Sequence, residues 1–401
     1  MAAMEKNNKN LNVPNLRFPE FSGEWEKGTL QSVATLSKGT GISKDQLSED
    51  GQPCILYGEL YTKYKSEIID VIISKTDIDS QKLVRSQTND VIIPCSGESA
   101  VDIATARCVK QSDVLLGGDL NIIRLKGEHD GSFFAYQLNG KRKYDIAKVA
   151  QGVSVVHLYG EHLKGVKVDY PSAAEQKKIS SLLALIDQRI ETQKKIIEDL
   201  KKLKDAITHS HYRNELSHSP MVYIGQYITQ VSKRNKDAKI DRVLSVSKKY
   251  GFINQDEQFE DREVASADTS NYKVVHKGDF AYNPARINVG SVARLQEFEN
   301  GIVSPMYVCF TAKKGLLPAY FELYLSTSIF KHEMNKRLEG SVRLCLTYES
   351  LCNIKIALPE FNVQKAFVSK VSAILTKIRA EERLLYLYHN CKQYLLSQMF
   401  I

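Results

Sequence analysis

The sequence predicts an α+β protein: two mixed α/β globular domains separated by two long helices that pair as a coiled coil, with an internal repeat. Three observations predict it. The stretch Pro171–Tyr212 (PSAAEQKKISSLLALIDQRIETQKKIIEDLKKLKDAITHSHY) holds no glycine and, after its first residue, no proline. Apolar residues return every three or four positions through Leu183, Ile186, Ile190, Ile197, Leu200 and Ile207, the seam of a coiled-coil helix. Sliding the chain against itself by 188 positions lays this stretch, without a gap, on PEFNVQKAFVSKVSAILTKIRAEERLLYLYHNCKQYLLSQMF, so that Pro171 meets Pro359, Gln176 meets Gln364 and Lys204 meets Lys392.

The seam then falls on Val371, Ile374, Ile378, Leu385, Tyr388 and Leu395, and the match runs upstream, with Gly152, Leu158, Leu163 and Val168 on Gly340, Leu346, Leu351 and Ile356. That is a duplication. A helix over the first stretch would be about 55 to 60 Å long and needs a partner for its apolar stripe, which the second copy supplies. Pro171 and Ser172 suit a helix start, Glu175 stands three after Ser172 as in a capping box, and lysines crowd the later turns. Gln193, Glu381, Lys204 and Lys392 interrupt the seam as register-fixing polar residues.

The 401 residues exceed one ordinary core, and a hydrophobic content of 43% with 25% charged residues is that of a soluble globular protein. No apolar run is long enough to cross a bilayer and residues 1–10 are polar, so a cytoplasmic location is expected. Seven cysteines without a CxxC pair read as reduced thiols. The net charge is +8, of which +6 lies in residues 166–215 and 354–401. Any DNA surface on the globular parts must therefore come from the arrangement of charges.

In order, residues 1–11 are expected to be disordered, 12–165 form the first head, 166–215 the first helix, 216–353 the second head and 354–401 the second helix. The first head opens with Pro14, Pro19, the only tryptophan (Trp25) and a helix expected over Gly28–Leu36, followed by short β-branched runs such as DVIIP and a helical stretch over 133–150. The second repeats this plan with a shorter head. Residues 221–231 resemble the opening helix, 242–247, 276–284 and 304–312 read as strands, and 318–338 as one long amphipathic helix. The heads align poorly outside their last turns.

Catalytic signatures are missing. Gly23–Thr29 has the two-glycine spacing of a phosphate loop without its lysine, and Asn283–Pro284 is followed by Ala285 and Arg286 rather than the Pro and aromatic of an adenine methyltransferase tetrapeptide. His209, His211 and His218 lack ligand-spaced carboxylates or cysteines, and Glu381 and Glu382 read as solvated. No metal site and no catalytic residue is assigned.

Two divergent heads, each followed by the same helix, resemble the specificity subunit of Type I restriction–modification enzymes over nearly the whole chain. The local matches are VPNLRFPEFSGEWE at the start, YGELYTKY at 57–64, GDFAYNPARIN at 278–288 and YPSAAEQKKISSLLALIDQRI at the first helix. The resemblance implies that each head is a target-recognition domain reading one half of a bipartite double-stranded DNA target. It implies that the helices pair as an antiparallel coiled coil, giving the repeat a pseudo-two-fold axis, and act as spacer, that two methyltransferase subunits dock on them and that restriction subunits join. S-adenosylmethionine, ATP and magnesium are then expected on those partners, with no cofactor in this chain. Four residues added to each helix should lengthen the spacer by about one or two base pairs.

Base readout needs Arg, Lys, Asn or Gln, whose donors and acceptors match base edges, and aromatics stack on an extruded base. Candidates in the first head are Lys63, Tyr64, Lys65, Arg85, Gln87 and Arg107, with Lys141, Arg142 and Lys143 suited to phosphates. Those in the second are Lys233, Arg234, Asn235, Lys248, Lys249 and Tyr250, joined by Asn283, Arg286, Asn288 and Arg343. Leu182, Ile196 and Leu203, off the seam, are candidates for partner contact. The competing reading is a coiled-coil tether whose heads bind proteins, which explains the duplication but not why heads diverge while helices stay alike.

Overall fold

The computed structural model describes residues 11–78, 81, 83–248, 250–255, 268–341 and 343–401. The expectation of disorder over 1–11 falls, Leu11 apart, outside them. Two long helices, Ala173–His218 and Phe361–Gln398, carry the repeat. At about 1.5 Å per residue the first is about 69 Å long, beyond the expected span because it continues past Tyr212. The chain divides into two compact units, residues 1–195 with 383–401 and residues 196–382, each holding one head and half of each helix.

In the N-terminal unit a five-stranded sheet has the order Ala34–Lys38, Leu120–Leu125, Asp90–Pro94, Arg107–Val109, Ile68–Ile69, with only the last pair parallel. A second sheet contains the parallel pair Leu115–Leu116 and Gln52–Ile55. Over the first sheet lies the helix Gly131–Asn139, whose N-cap Asp130 accepts from Ser132 N at 2.7 Å. Phe133, Phe134, Trp25, Ile179, Leu183, Met399 and Phe400 form one core. The head thus closes its core on the helix pair.

In the C-terminal unit the main sheet runs Ile228–Val231, Val308–Ala312, Phe280–Tyr282, Val292–Arg294, antiparallel throughout. The second sheet again contains a parallel pair, Val243–Ser247 with Asn300–Val303. Its core is richer in aromatics, joining Tyr212, Phe280, Tyr282, Phe310, Tyr320, Phe321, Tyr324 and Phe367. Four strands of the two main sheets therefore follow the same order, which their sequences do not display.

Three expected helices are corrected. Glu26–Thr29 and Ala34–Lys38 are strands around a single helical turn, Leu30–Val33, and Met221–Tyr223 and Ile228–Val231 repeat this around Ile224–Tyr227. The opening strands pair antiparallel with Lys167–Tyr170 and Lys355–Ala357, just ahead of the long helices. The helix expected over 318–338 is two, Pro318–Leu325 and Ser328–Asn335, because the Thr327 hydroxyl accepts from Phe330 N at 3.1 Å and starts a new helix.

The junction explains the repeat physically. Gln176 donates to the Pro171 carbonyl at 2.8 Å and accepts from Asp130 N at 2.9 Å; Gln364 donates to the Pro359 carbonyl at 2.9 Å and accepts from Leu317 N at 2.8 Å. Each buried amide ties the start of a long helix to the residue capping its head's packed helix. Gly152 and Gly340 have φ of +117° and +115°, and an added Cβ would lie 2.1 Å and 2.4 Å from the carbonyls of Val155 and Arg343, so both turns require glycine.

The twelve seam residues are all buried or half-buried. In the C-terminal unit Lys201 meets Glu382 at 2.7 Å while His211 stacks on Phe367 at 3.7 Å, so the helices run antiparallel. Glu381 is buried on the seam beside Lys377, not solvated as expected; Glu382 is the exposed member. Glu175 is spent on Arg17 at 2.7 Å and the Trp25 ring nitrogen at 3.4 Å instead of a capping box. Asn12 bonds Asp169 at 3.0 Å and Leu16 N bonds the Gln398 carbonyl at 3.0 Å, so the opening segment straps both helix ends in the N-terminal unit.

Candidate nucleic-acid interface

The first head's candidates divide into surface and core. Lys63 pairs with Glu59 at 2.7 Å, and the exposed Lys65 bonds the Tyr61 carbonyl. Tyr64 between them is buried, its hydroxyl accepting from Ile73 N at 3.1 Å. Arg85 bonds Gln52 at 2.6 Å and the Asp113 carbonyl at 3.0 Å, and Gln87 is exposed. Lys141 is exposed, Arg142 is bound to Asp169, and Lys143 is half-buried at the start of the helix Lys143–Val149.

Arg107 is a core cation. It is 8% exposed and donates to the carbonyls of Tyr64 at 3.1 Å and Ala106 at 2.9 Å. It faces a charged cluster that the sequence reading missed. Lys392 on the second helix reaches Glu67 at 2.7 Å and Asp187 at 2.6 Å, and the Tyr136 hydroxyl donates to Asp187 at 2.7 Å. Burial pushes the Glu67 carboxyl up, but Lys392 and then Arg107 outweigh it and hold it below 4.5; at Asp187 burial wins over Lys392 and the group lies above 3.8. Burial and the neighbouring Asp187 also push the Tyr136 phenol up. The four charges balance, and only Lys392 had a signal, its interruption of the seam. Residues 325 apart give none.

In the second head Asn235 is likewise structural: buried, it bonds the Ile240 carbonyl at 2.7 Å and closes a turn. Arg234 is exposed and bonds Asn271 at 2.8 Å, Lys233 is exposed, and Tyr250 is 64% exposed. Lys249 lies outside the described residues. Arg343 is exposed away from the others' cleft. The structure brings together Lys248, Asn283 and Arg286 on a cleft of about 380 Å³, which Gln255, absent from the sequence candidates, also lines. Asn288 lines a neighbouring hollow of about 620 Å³.

Tyr282 is fully buried and Tyr307 half-buried, as core packing requires. His211 is half-buried between Phe367 and the Tyr320 hydroxyl, 3.2 Å away, and burial lowers its pKa below 6.5. No group of three or more His, Cys, Asp or Glu is placed to hold a metal among the described residues. Nor is any described helix long and apolar enough to cross a membrane. Of the residues off the seam, Ile196 is 39% and Leu203 48% exposed, whereas Leu182 packs against the N-terminal core.

Each unit thus holds a head whose main sheet follows the same order, clamped by a duplicated glutamine to its half of the long helices. Residues 22–202 match the family model described as the Type I restriction modification DNA specificity domain. The Type I restriction enzyme MjaVIII specificity subunit of Methanocaldococcus jannaschii is 23% identical over 92% of this chain and 90% of its own. The crystal structure of the Type I restriction–modification system S subunit from M. genitalium aligns with TM-score 0.60 at 17% identity, over 97% of this chain and 99% of that one. A chain from a structure concerned with complex assembly and conformational transition of the type I restriction–modification system aligns with TM-score 0.53 at 12% identity, over 94% and 97%. Over nearly its whole length the chain is similar to specificity subunits of Type I restriction–modification enzymes, and residues 22–202 carry the match to their DNA specificity domain.

Proposed function

We propose that this chain is the DNA-reading and scaffolding subunit of its restriction–modification complex, each head reading one half of a bipartite target and the helices setting the spacer. Two methyltransferase subunits dock on the helical frame for N6-adenine methylation, and restriction subunits join them. Catalysis, S-adenosylmethionine, ATP and magnesium belong to those partners, and the complex works in the cytoplasm. The observation that carries this reading is that two heads whose sequences align poorly share the order of their main-sheet strands and sit on a duplicated junction. A reader that changes target keeps its frame and alters its surface. The exposed Ile196 and Leu203 support a partner face on the helices.

The test is a genome-wide map of N6-methyladenine in a host with and without this gene, its methyltransferase subunit present in both. Loss of one split motif methylated on both strands is expected. An unchanged map with an active methyltransferase would refute the reading and favour a tether.

A further inference from the structure

The cleft in the C-terminal head lies between the strand Val243–Ser247 and the segment 283–291, with Tyr307 at its edge. Among the described residues its lining holds two cations, Lys248 and Arg286, two amides, Gln255 and Asn283, and four serines, and no carboxylate. That composition is unusual for this head, whose other cations mostly have partners. Arg234 bonds Asn271, Arg242 lies 4.5 Å over the Phe298 ring, Arg294 pairs with Glu322 and Arg337 with Glu333. Among the described residues of the cleft, the guanidinium of Arg286 and the ammonium of Lys248 have no such partner.

Their mounts are nevertheless fixed. Arg286 N donates to the Asn283 carbonyl at 3.0 Å, and the Arg286 carbonyl accepts from Ser291 N at 3.1 Å. Asn283 Oδ1 accepts from Ala285 N at 3.0 Å, which leaves its amide nitrogen to donate. The Lys248 stem packs on Gly290, where an added Cβ would lie 3.0 Å from Lys248 Cγ. Gln255 Oε1 is buried and has no hydrogen-bond partner.

The two kinds of group ask for a particular ligand. Arg286 and the Asn283 amide nitrogen are donors and need acceptors, which phosphate or a base edge supplies. Gln255 Oε1 is an acceptor, and a buried acceptor left unmade is costly. Phosphate has no N–H to give it. A base edge with both an acceptor and an exocyclic amine, such as the major-groove N7 and N6 of adenine, satisfies both.

We propose that this cleft is where the C-terminal head reads its half-site, Arg286, Asn283 and Gln255 meeting base edges that include an exocyclic amine and Lys248 neutralising a flanking phosphate. The proposal rests on the DNA-reading function above. Its test is the methylation motif of the full complex carrying Arg286→Ala, Arg286→Lys, Gln255→Ala or Lys248→Ala. The first three should each relax a base position in one half of the split motif, on the order of 10- to 100-fold, leaving the other half intact. Lys248→Ala should weaken methylation evenly across sequences, and Lys314→Ala, an exposed cation of the same head outside the cleft, should change nothing. A wild-type complex with a split motif and Arg286 and Gln255 variants that keep that motif, or lose it uniformly, overturns the cleft. A wild-type complex with no split motif overturns the function on which it rests.

Discussion

Replacing Lys392 by methionine tests whether the N-terminal head is held to the second helix by charge. The Lys392 side chain is 12% exposed, and Glu67 and Asp187 are each 11% exposed. Without the ammonium, two buried carboxylates face only Arg107 and the Tyr136 hydroxyl. Breaking a buried pair by removing one partner costs about 3 to 5 kcal/mol. Asp187, already above its ordinary value, can take a proton, which sets the expectation at the lower end: about 3 kcal/mol, or roughly 150-fold in the folding constant. Trp25, the only tryptophan and 2% exposed in this core, makes urea unfolding by fluorescence specific to the N-terminal unit. Adding Asp187→Leu, the residue type the repeat itself carries at Leu375, removes one charge, leaves Glu67 matched by Arg107, and should recover most of the loss. A single-variant loss below about 1 kcal/mol would mean the cluster behaves as a solvent-screened surface pair. A double variant no better than the single would trace the loss to packing of the lysine stem, and the charge argument would fail.

Three further outcomes follow from the same geometry. Gln364→Ala strands the Leu317 amide and the Gly315 and Pro359 carbonyls and should cost about 2 kcal/mol. Amide exchange at Leu317 should rise accordingly. Gln176→Ala should do the same to Asp130. Phe400→Ala empties a site 5.1 Å from Phe133 and 6.4 Å from Trp25, should cost about 3 kcal/mol, and should shift Trp25 emission to the red. His211, faced by Glu215, Lys370, Phe367 and Tyr320, has a folded-state pKa below 6.5, so the unfolded chain binds the proton first as pH falls. The C-terminal unit should therefore lose stability as pH drops from about 6.5 towards the lower folded value, a slope visible in thermal melts that His211→Phe removes.

The frame was legible because a duplication compares the chain with itself. Positions that matched at an offset of 188, such as Gln176 with Gln364 and Gly152 with Gly340, prove to share one hydrogen bond or one turn. The seam was legible because helical periodicity is a local property. The opening helices were misread because one turn flanked by strands looks apolar and continuous. Thr327 was missed as a break because a capping threonine differs from an interior one only in where its hydroxyl points. Among the candidate readers, Arg107, Tyr64 and Asn235 could not be told from surface residues by type. Their burial follows from strand pairing between segments distant in the chain.

The sequence by itself determined the two helices, their shared seam and the presence of two heads, since periodicity and repetition are written along the chain. The tertiary structure alone decided that the dissimilar heads share the order of four main-sheet strands, that Glu67, Asp187 and Lys392 form one cluster, and that Arg286, Asn283 and Gln255 face one cleft. Each of those depends on which distant backbone segments pair, and therefore on the total burial and hydrogen bonding of the folded head, a sum that no local stretch contains.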